Sequence, residues 1–562
     1  MRRFLALLAA ACLVPACRGG SGGSGGGASE PGPIPPDPGP IPVPPGMANR
    51  IPADGWTGVD ITWQDPGGWT TIDVTTAGIS ATSTTTQTSA IQALINASSA
   101  PTILYFPPGT YRTGTLTLRN NLIIRGAGDS TVFLLQGTGG AFRAIGQGGQ
   151  WDWPYMSAEY QPRNVLASVP PGGTDVTIAS TMGLAVGDTV VVEGALAAYS
   201  FPSAKWSRGG IFHVAGISGN TITLDLPLGA GLPQATGSDI SRVAKLIPRR
   251  NLGIESLKIV PPASSSAGGA DAIYFVTCEN AYIKNVTSVN AISDHLMLVS
   301  CNRIAMSGCF FDYRVSTSSN NGYGILLEAL CTRILITDNI MKDLRPPVAW
   351  QTGCNYVVYS YNMHVDRLRD YVHATDDPAA NSGSWITSAS LNGIMNGSIP
   401  VDVVFHGNYP HTNLVEGNVF YGAVVDYDHL TNGPWNTFYR NKVRSNPDQW
   451  NDWLEGIALW IDGPSDNQNF IANHLFNSGL IREVTHNGPV LPTGTFVAAN
   501  VRASGVEWGD LPSGTALPAS LYRTVRPPFF PASLAWPPFG PGVAGSATNK
   551  IPAELRWEAI AP

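Results

Sequence analysis

A strand-rich unit recurs along this chain about every 23 residues, and this spacing limits the possible folds more than any other feature. The interval from Asn339 to Asn362 is the same as the interval from Asn418 to Asn441. The units read AYIKNVT, ILITDNIM, VVYSYNMH, NLVEGNVF, NTFYRNKV and NFIANHLF. A unit this short cannot bury its own apolar side, so successive units must stack at the strand spacing of about 4.8 Å. The pattern predicts an all-β fold, a parallel solenoid.

Two residue types repeat with the same period and predict two columns in this solenoid. An asparagine at one corner of each coil suits a ladder of side-chain amides that also tolerates a left-handed turn. The cysteines repeat at the same interval, from Cys278 to Cys301 and from Cys331 to Cys354. The chain has no Cys-x-x-Cys pair, so we expect these cysteines to be small core residues and not metal ligands. The predicted ladder consists of Asn285, Asn339, Asn362, Asn418, Asn441 and Asn473.

The amino-terminal residues have the composition of an export signal. Residues 1–16 combine two arginines, an apolar run and a small-residue cleavage point before Cys17, which predicts a lipoprotein-type signal peptide with Cys17 as the lipidated residue. An ordinary signal peptide is the alternative. Residues 17–46 are rich first in Gly and Ser and then in Pro, as a linker would be. We expect an exported protein of the bacterial cell envelope that meets the membrane only through a lipid anchor, or otherwise a secreted one.

The remaining residues divide into four predicted regions. Residues 47–135 form an amino-terminal cap with the first coils, in which AIQALINA (90–97) has helical apolar spacing and covers the open end. Residues 136–248 interrupt the period and predict an inserted β subdomain. Residues 249–500 form the main solenoid, and the Pro-rich tail 501–562 packs on it. The net charge of −7 and the lack of a basic run give no support to a general nucleic-acid-binding role.

The stretch AIQALINASSAPTILYFPPGTYRTGTLTLRNNLIIRGAGDSTVFL resembles the start of the rhamnogalacturonase/epimerase-like branch of the pectate-lyase-like superfamily. Residues 251–500 resemble the coils of that superfamily. The resemblance implies a right-handed single-stranded parallel β-helix and a polysaccharide as partner. It leaves the reaction open, because this scaffold carries lyases, hydrolases, epimerases, tailspikes and adhesins. Of the polygalacturonase motifs, the chain has only the fragments Asp376-Asp377 and His406-Gly407.

Two histidines share one phase of the repeat. His406 precedes Asn418 by the same interval as His429 precedes Asn441. Regular coils would therefore stack the two imidazoles on adjacent coils, about 5 Å apart, where they suit proton transfer near neutral pH. Trp350 has the same phase, and an exposed indole there would be a platform for a sugar ring. The alternative is a column of polar residues without a catalytic role.

The segment 363–378 carries a second group of charged residues on a predicted excursion from the coils. Arg367, Arg369 and His373 could bind the carboxylate of a uronic acid. Asp376 and Asp377 are weak candidates for Ca²⁺ ligands, because two adjacent carboxylates make a poor calcium site. A solvated charged loop without a binding role is the alternative.

These residues favour an exported polysaccharide lyase that cleaves a uronic-acid-containing glycan by β-elimination. A histidine would act as base, a tyrosine as acid, and an arginine would neutralise the carboxylate. A glycoside hydrolase with paired carboxylates on the same scaffold and a non-catalytic adhesive protein with aromatic rows are the alternatives. The candidate catalytic residues are His406, His429, Tyr409, Asp426, Asp428 and Arg440. The candidate substrate-binding residues are Trp350, Arg367, Arg369, His373, His411, Glu416, Tyr427 and Trp435.

Overall fold

Three parallel ladders of short strands run along most of the chain, and each turn of the chain adds one strand to each ladder. The computed structural model describes residues 41–561 except 54, 60–64, 98, 138, 148–161, 195–206, 237–240, 262–270, 315–321, 345, 366–401, 428, 445–456, 462–463, 478–479 and 484–490. The predicted signal peptide, Cys17 and the linker up to residue 40 lie outside the described residues. The ladders extend from Thr70 to Arg502 and confirm the predicted all-β parallel β-helix.

We call the three sides of the coil face A, face B and face C. Face A contains β1 (Thr70–Asp73), β2 (Thr102–Tyr105), β5 (Leu122–Arg125), the first halves of β14 (Arg249–Val260) and β16 (Cys278–Ala291), β18 (Asn302–Ser307), β21 (Thr332–Thr337), β24 (Asn355–Ser360), β27 (Leu414–Glu416), β30 (Thr437–Tyr439), β33 (Asn469–Ile471) and β36 (Phe496–Ala498). Face B contains β3 (Gly109–Thr113), β6 (Thr131–Leu135), the second halves of β14 and β16, β19 (Phe310–Arg314), β22 (Ile340–Lys342), β25 (Met363–Val365), β28 (Val419–Phe420), β31 (Lys442–Val443), β34 (His474–Leu475) and β37 (Asn500–Arg502), which pairs with the antiparallel β38 (Gly505–Glu507). Face C contains β4 (Leu116–Thr117), β7 (Phe142–Ile145), β15 (Ile273–Val276), β17 (Leu296–Val299), β20 (Ile325–Glu328), β23 (Val348–Trp350), β26 (Val403–Phe405), β29 (Ala423–Val425), β32 (Ile457–Ile461) and β35 (Leu480–Glu483).

A separate antiparallel sheet interrupts the coils between β7 and β14. Its strands are β8 (Arg163–Asn164), β9 (Asp175–Thr177), β10 (Thr189–Gly194), β11 (Arg208–Ser218), β12 (Thr221–Leu224) and β13 (Arg242–Lys245). We call it the inserted sheet. It has its own apolar core, which includes Val190, Phe212 and Ile222. The sheet begins later than the predicted boundary at 136, because Phe142–Ile145 still pairs within face C.

Helices are few and lie near the ends of the described chain. Helix α1 (Thr88–Asn96) buries Ile91 and Ile95 against the interior of the coils, and α2 (Pro552–Ile560) lies near the carboxyl terminus. Three 3₁₀ turns span Pro45–Met47, Thr57–Val59 and Val74–Ala77. Within the described ranges, no helix is long and apolar enough to cross a membrane.

The interior contains the two predicted columns. Each ladder asparagine donates its side-chain amide to the side-chain oxygen of the next, from Asn339 through Asn362, Asn418, Asn441 and Asn473 to Asn500, at 2.9–3.1 Å. The left-handed position is the residue before each of these asparagines, such as Asp338 with φ of 58°. Asn285 has a φ of 52° and so occupies the left-handed position that precedes a ladder asparagine. It is therefore not part of the ladder, and its predicted place was wrong by one residue. The described cysteines are free thiols buried in the core, as predicted.

Both ends of the described chain pack against the outer surfaces of faces A and B. Trp56 donates its indole N–H to the carbonyl oxygen of Thr412 at 2.8 Å. Leu521, Tyr522 and Phe539 of the carboxyl-terminal segment join the same apolar cluster. From β21 and β22 onward, these segments therefore cover much of the outer sides of the two faces.

Candidate functional site

Four consecutive coils place a polar side chain at the carboxyl end of their face C strand. Leu327 pairs with Trp350, Trp350 with Phe405, and Phe405 with Val425, and all four point into the core. Because side chains alternate along a strand, the residue that follows each of them points outward. The backbone hydrogen bonds continue to these residues, as in His406 N–H to the Trp350 carbonyl at 2.7 Å. We call these outward residues the polar row: Glu328, Gln351, His406 and Asp426.

The imidazole of His406 is held by the carboxylate of Asp426 on the adjacent coil. Nδ1 of His406 and Oδ2 of Asp426 are 2.6 Å apart. The His406 side chain is 16% exposed, whereas that of Asp426 is 4% exposed. A carboxylate at Nδ1 fixes the ring orientation and favours the tautomer with its lone pair on Nε2. This pair therefore has the geometry of an oriented general base.

His429 packs against His406, with ring centroids 4.6 Å apart and ring planes at 82°. The predicted proximity of the two imidazoles is thus confirmed, but the rings meet edge to face and the predicted register is wrong. On face C the coil repeat is 20 residues at this point, so His406 aligns with Asp426. Burial lowers the pKa of His429 to about 4, and repulsion from His406 when it is protonated adds to this effect. His429 is therefore neutral at physiological pH.

Glu328 lies two coils before His406 in the polar row. Burial raises the pKa of its carboxyl group to about 8, with a further contribution from Asp271 and an opposing one from His406. The side chain is buried, and its Oε1 atom has no hydrogen-bond partner among the described residues. At neutral pH this carboxyl group is protonated and can donate a hydrogen bond.

Two further acids lie near Glu328, at the start of face C. Asp294 N–H donates to Oδ1 of Asp271 at 3.2 Å, and Asp294 Oδ1 accepts from the backbone N–H groups of Gly322 and Tyr323. Burial raises the pKa of both carboxyl groups, and the charge of Asp271 raises that of Asp294 further. This end of the face therefore retains protons that exposed carboxyl groups would release.

Four predicted site residues lie elsewhere in the molecule. Trp350 is 0% exposed inside the coil and stacks on Phe405, with ring centroids 4.7 Å apart, so it cannot be a sugar platform. His411 is also fully buried, and burial lowers its pKa to about 3. It is therefore not a substrate-binding group.

Arg440 and Glu416 belong to faces A and B. Arg440 donates to the carbonyl oxygens of Leu517, Pro518 and Phe539, which fixes it to the carboxyl-terminal segment. Glu416 accepts the backbone N–H of Leu521 at 2.8 Å. Both predicted roles were wrong because the outer surface at these residues is covered by the protein's own chain.

The other predicted residues divide between the rim of face C and the residues outside the description. Tyr409 lies three residues after His406, at the corner leading to face A, and Tyr427 directly follows Asp426. Trp435 is partly exposed at the turn before β30. The predicted residues outside the described ranges are Arg367, Arg369, His373, Asp376, Asp377 and Asp428. Within the described ranges, no group of three or more His, Cys, Asp or Glu side chains could hold a metal ion, and Ca²⁺ at Asp376 and Asp377 stays a prediction.

Sequence reasoning missed Glu328 and Gln351. A signal was present, since the pairs Leu-Glu (327–328), Trp-Gln (350–351), Phe-His (405–406) and Val-Asp (425–426) each place a polar residue after a core residue. This signal appears only when face C is aligned by its own strands and not by the asparagine column.

A comparison with protein-family models gives a match near the start of the coils. Residues 71–166 match the family described as rhamnogalacturonase A/epimerase, pectate lyase-like. That segment includes the opening on which the predicted resemblance depends. No curated protein sequence matches the chain.

Several solved structures are similar at low identity. The tailspike protein gp49 from Pseudomonas phage LKA1 is 16% identical with a TM-score of 0.48, over 74% of this chain and 63% of the tailspike. The chain thus spans less than two thirds of that relative. An exopolygalacturonase from Thermotoga maritima is 9% identical with a TM-score of 0.34, over 78% of this chain and 92% of its own. An alginate lyase from a Paenibacillus species is 9% identical with a TM-score of 0.31, over 74% and 93%.

Proposed function

We propose, from the premise that this chain is a pectate-lyase-like parallel β-helix protein, that it cleaves an acidic polysaccharide by β-elimination at the polar row. One observation carries the proposal. His406 is oriented by Asp426 and stands in line with Gln351 and with Glu328, which is neutral at physiological pH. An oriented base beside neutral hydrogen-bond donors is what proton abstraction next to a carboxylate requires.

Each residue of the row has a role in this reaction. Gln351 and protonated Glu328 donate hydrogen bonds to the substrate carboxylate, which makes the proton on the adjacent carbon more acidic. His406 accepts that proton through Nε2, and the electron pair of the broken C–H bond forms a carbon–carbon double bond as the glycosidic C–O bond breaks. The imidazolium, stabilised by Asp426, then gives the proton to the departing oxygen. Atoms and charge balance without a further reactant.

A hydrolase is the second candidate, because a carboxyl group that stays protonated at neutral pH can act as general acid. Glu328 meets that requirement. The partner carboxylate would be Asp426, three coil steps away, or roughly 14 Å along the backbone. An inverting pair needs about 6.5–9.5 Å and a retaining pair about 5 Å. Asp426 is also engaged by His406 between them, so the row fits elimination better than hydrolysis.

The test is turnover of a panel of acidic and neutral polysaccharides by the purified protein. Elimination produces an unsaturated sugar that absorbs in the near ultraviolet, whereas hydrolysis produces new reducing ends without this absorbance. We expect His406→Ala to reduce turnover by about a hundredfold or more without loss of fold. His474→Gln is the matched control, because His474 lies on face B and bonds to Ser546.

Three outcomes would contradict the proposal. Reducing ends without absorbance would indicate the hydrolase, and binding without any product would indicate a glycan-binding protein. A His406→Ala variant with nearly full activity would remove His406 from the mechanism.

A further inference from the structure

The inserted sheet contacts the coils directly beside the polar row. The carbonyl oxygen of Ser207 lies where a side chain at position 353 would begin, since a Cβ built on Gly353 would be 2.1 Å from it. Gly353 also has a φ of 70°, which disfavours other residues. Gly353 follows Gln351 of the polar row by two residues. The Cα atoms of Gly353 and Gln351 are therefore at most about 7 Å apart, and the edge of the inserted sheet contacts the coil at Gly353.

Arg208 begins strand β11 at this contact and extends toward the next coil. Its guanidinium carbon is 4.8 Å from the centre of the Tyr409 ring, the geometry of a cation–π contact. Tyr409 follows His406 by three residues, at most about 11 Å of chain. The inserted sheet therefore places a cation at the corner of the coil that follows the base of the proposed reaction.

The charge of Arg208 is not neutralised by the part of the chain that the structure describes. None of the carboxylates in the described ranges forms an ion pair with it, and its Nε atom is buried without a hydrogen-bond partner among those residues. By contrast, Arg242 of the same sheet pairs with Glu193, and Lys245 pairs with Asp188. A partly buried guanidinium without an anion is costly unless a ligand supplies one.

We propose that Arg208 binds a carboxylate of the acidic polysaccharide, so that the inserted sheet forms one wall of the substrate site. This inference rests on the proposed function, from which it takes an acidic polysaccharide as the substrate. A guanidinium binds a carboxylate through two parallel hydrogen bonds, whereas a lysine supplies only a point charge. The Tyr409 ring, 4.8 Å from the guanidinium carbon, holds Arg208 by a cation–π contact. Arg208 is thus a specificity-determining residue that distinguishes acidic from neutral sugars.

The experiment measures binding and turnover of polygalacturonate and alginate, each with its methyl-esterified form, by the full chain. We expect Arg208→Gln to weaken binding of the acidic forms by about tenfold or more and to leave binding of the esterified forms unchanged. Arg208→Lys should give an intermediate loss. Arg163→Gln is the control, since Arg163 bonds to the Met182 carbonyl within the inserted sheet region. Unfolding midpoints of all variants establish that they fold.

The outcomes separate this inference from the proposed function. Unchanged binding of the acidic forms by Arg208→Gln, an equal loss on the esterified forms, or no binding by the unaltered protein would overturn it. If the protein forms unsaturated product with an unchanged KM in Arg208→Gln, elimination stands and the role of Arg208 falls. If no product forms but Arg208→Gln loses only the acidic ligands, the role of Arg208 stands and elimination falls.

Discussion

Glu328 gives the sharpest test of the site, because its chemistry can be measured without knowing the substrate. The folded protein raises the pKa of this carboxyl group from 4.5 to about 8. A difference of this size corresponds to roughly 5 kcal/mol between the two protonation states. Below pH 4.5 the group is protonated in both the folded and the unfolded protein and costs nothing. As pH rises toward 8, only the unfolded protein releases the proton, so stability falls, and above about 8 the loss is complete.

Glu328→Gln removes this dependence, because an amide of the same shape does not ionise. We expect the variant and the unaltered protein to be about equally stable near pH 4. The variant should be more stable by roughly 3 kcal/mol at neutral pH and by roughly 5 kcal/mol near pH 9. The measurement is chemical unfolding of both proteins across this range. Glu558→Gln, at the exposed end of helix α2, is the matched control and should show no such trend.

The same group predicts an alkaline limit for activity. Ionised Glu328 would repel the substrate carboxylate, so turnover of an acidic glycan by the unaltered protein should fall as pH passes about 8. Glu328→Gln should lose this limit. A stability difference that is constant with pH, or a variant that is less stable at alkaline pH, would show that Glu328 is ionised in the folded protein. The argument for a neutral donor in the polar row would then fail.

Two further predictions concern residues outside the row. Trp350→Ala should lower the free energy of unfolding by about 3–5 kcal/mol, because it leaves a cavity beside Phe405. Chemical unfolding measures this change. Loss of glycan binding with unchanged stability would contradict the interior position of Trp350. His213 is hydrogen-bonded to Asp225 and Glu279, and these contacts raise the pKa of its imidazole above 6.5. The protonated imidazole therefore stabilises the fold fully below pH 6.5, and this stabilisation is lost as pH rises through the raised pKa. The free energy of unfolding should therefore differ less between acidic and alkaline pH in His213→Gln than in the unaltered protein. If the difference is the same in both, His213 does not cause the pH dependence.

The period in the sequence predicted the parts of the coil that repeat without interruption. Asn339, Asn362, Asn418 and Asn441 all lie in one ladder, because face A and face B of each coil are joined by a corner of constant length. The corner between face C and the following face A is not constant, since Trp350 precedes Asn362 by 12 residues but the aligned Phe405 precedes Asn418 by 13. Counting from the asparagine column therefore aligned Trp350 with His406, although the strands align Trp350 with Phe405.

The same shift determines which side chains of VDVVFH (401–406) and of VVDYDHL (424–430) point into the coil. With the shorter repeat of face C, Val403 lies on Ala423 and Phe405 on Val425, all inside the coil. Asp426 then points outward beside His406. Asp402, directly before β26, is fully buried, and its Oδ2 lies 3.6 Å from Nδ1 of the buried His364. The period of a solenoid predicts stacking only along an uninterrupted face, and each face needs its own alignment.

Which outer surface is exposed to a ligand could not be predicted from any period, because that depends on where the termini pack. On faces A and B, outward charges are satisfied by the protein's own chain, as Arg440 is by three carbonyl oxygens and Glu416 by the Leu521 N–H. On face C, the buried Oε1 atoms of Glu328 and Gln351 have no partner among the described residues. A buried polar atom without a partner costs free energy that natural sequences seldom retain. The outer side of face C is also largely buried, since Leu326, Ala349, Val404 and Val424 are 0–7% exposed. The proposal for the polar row therefore depends on two adjacent atoms, unpaired within the described part of the chain, beside the oriented His406.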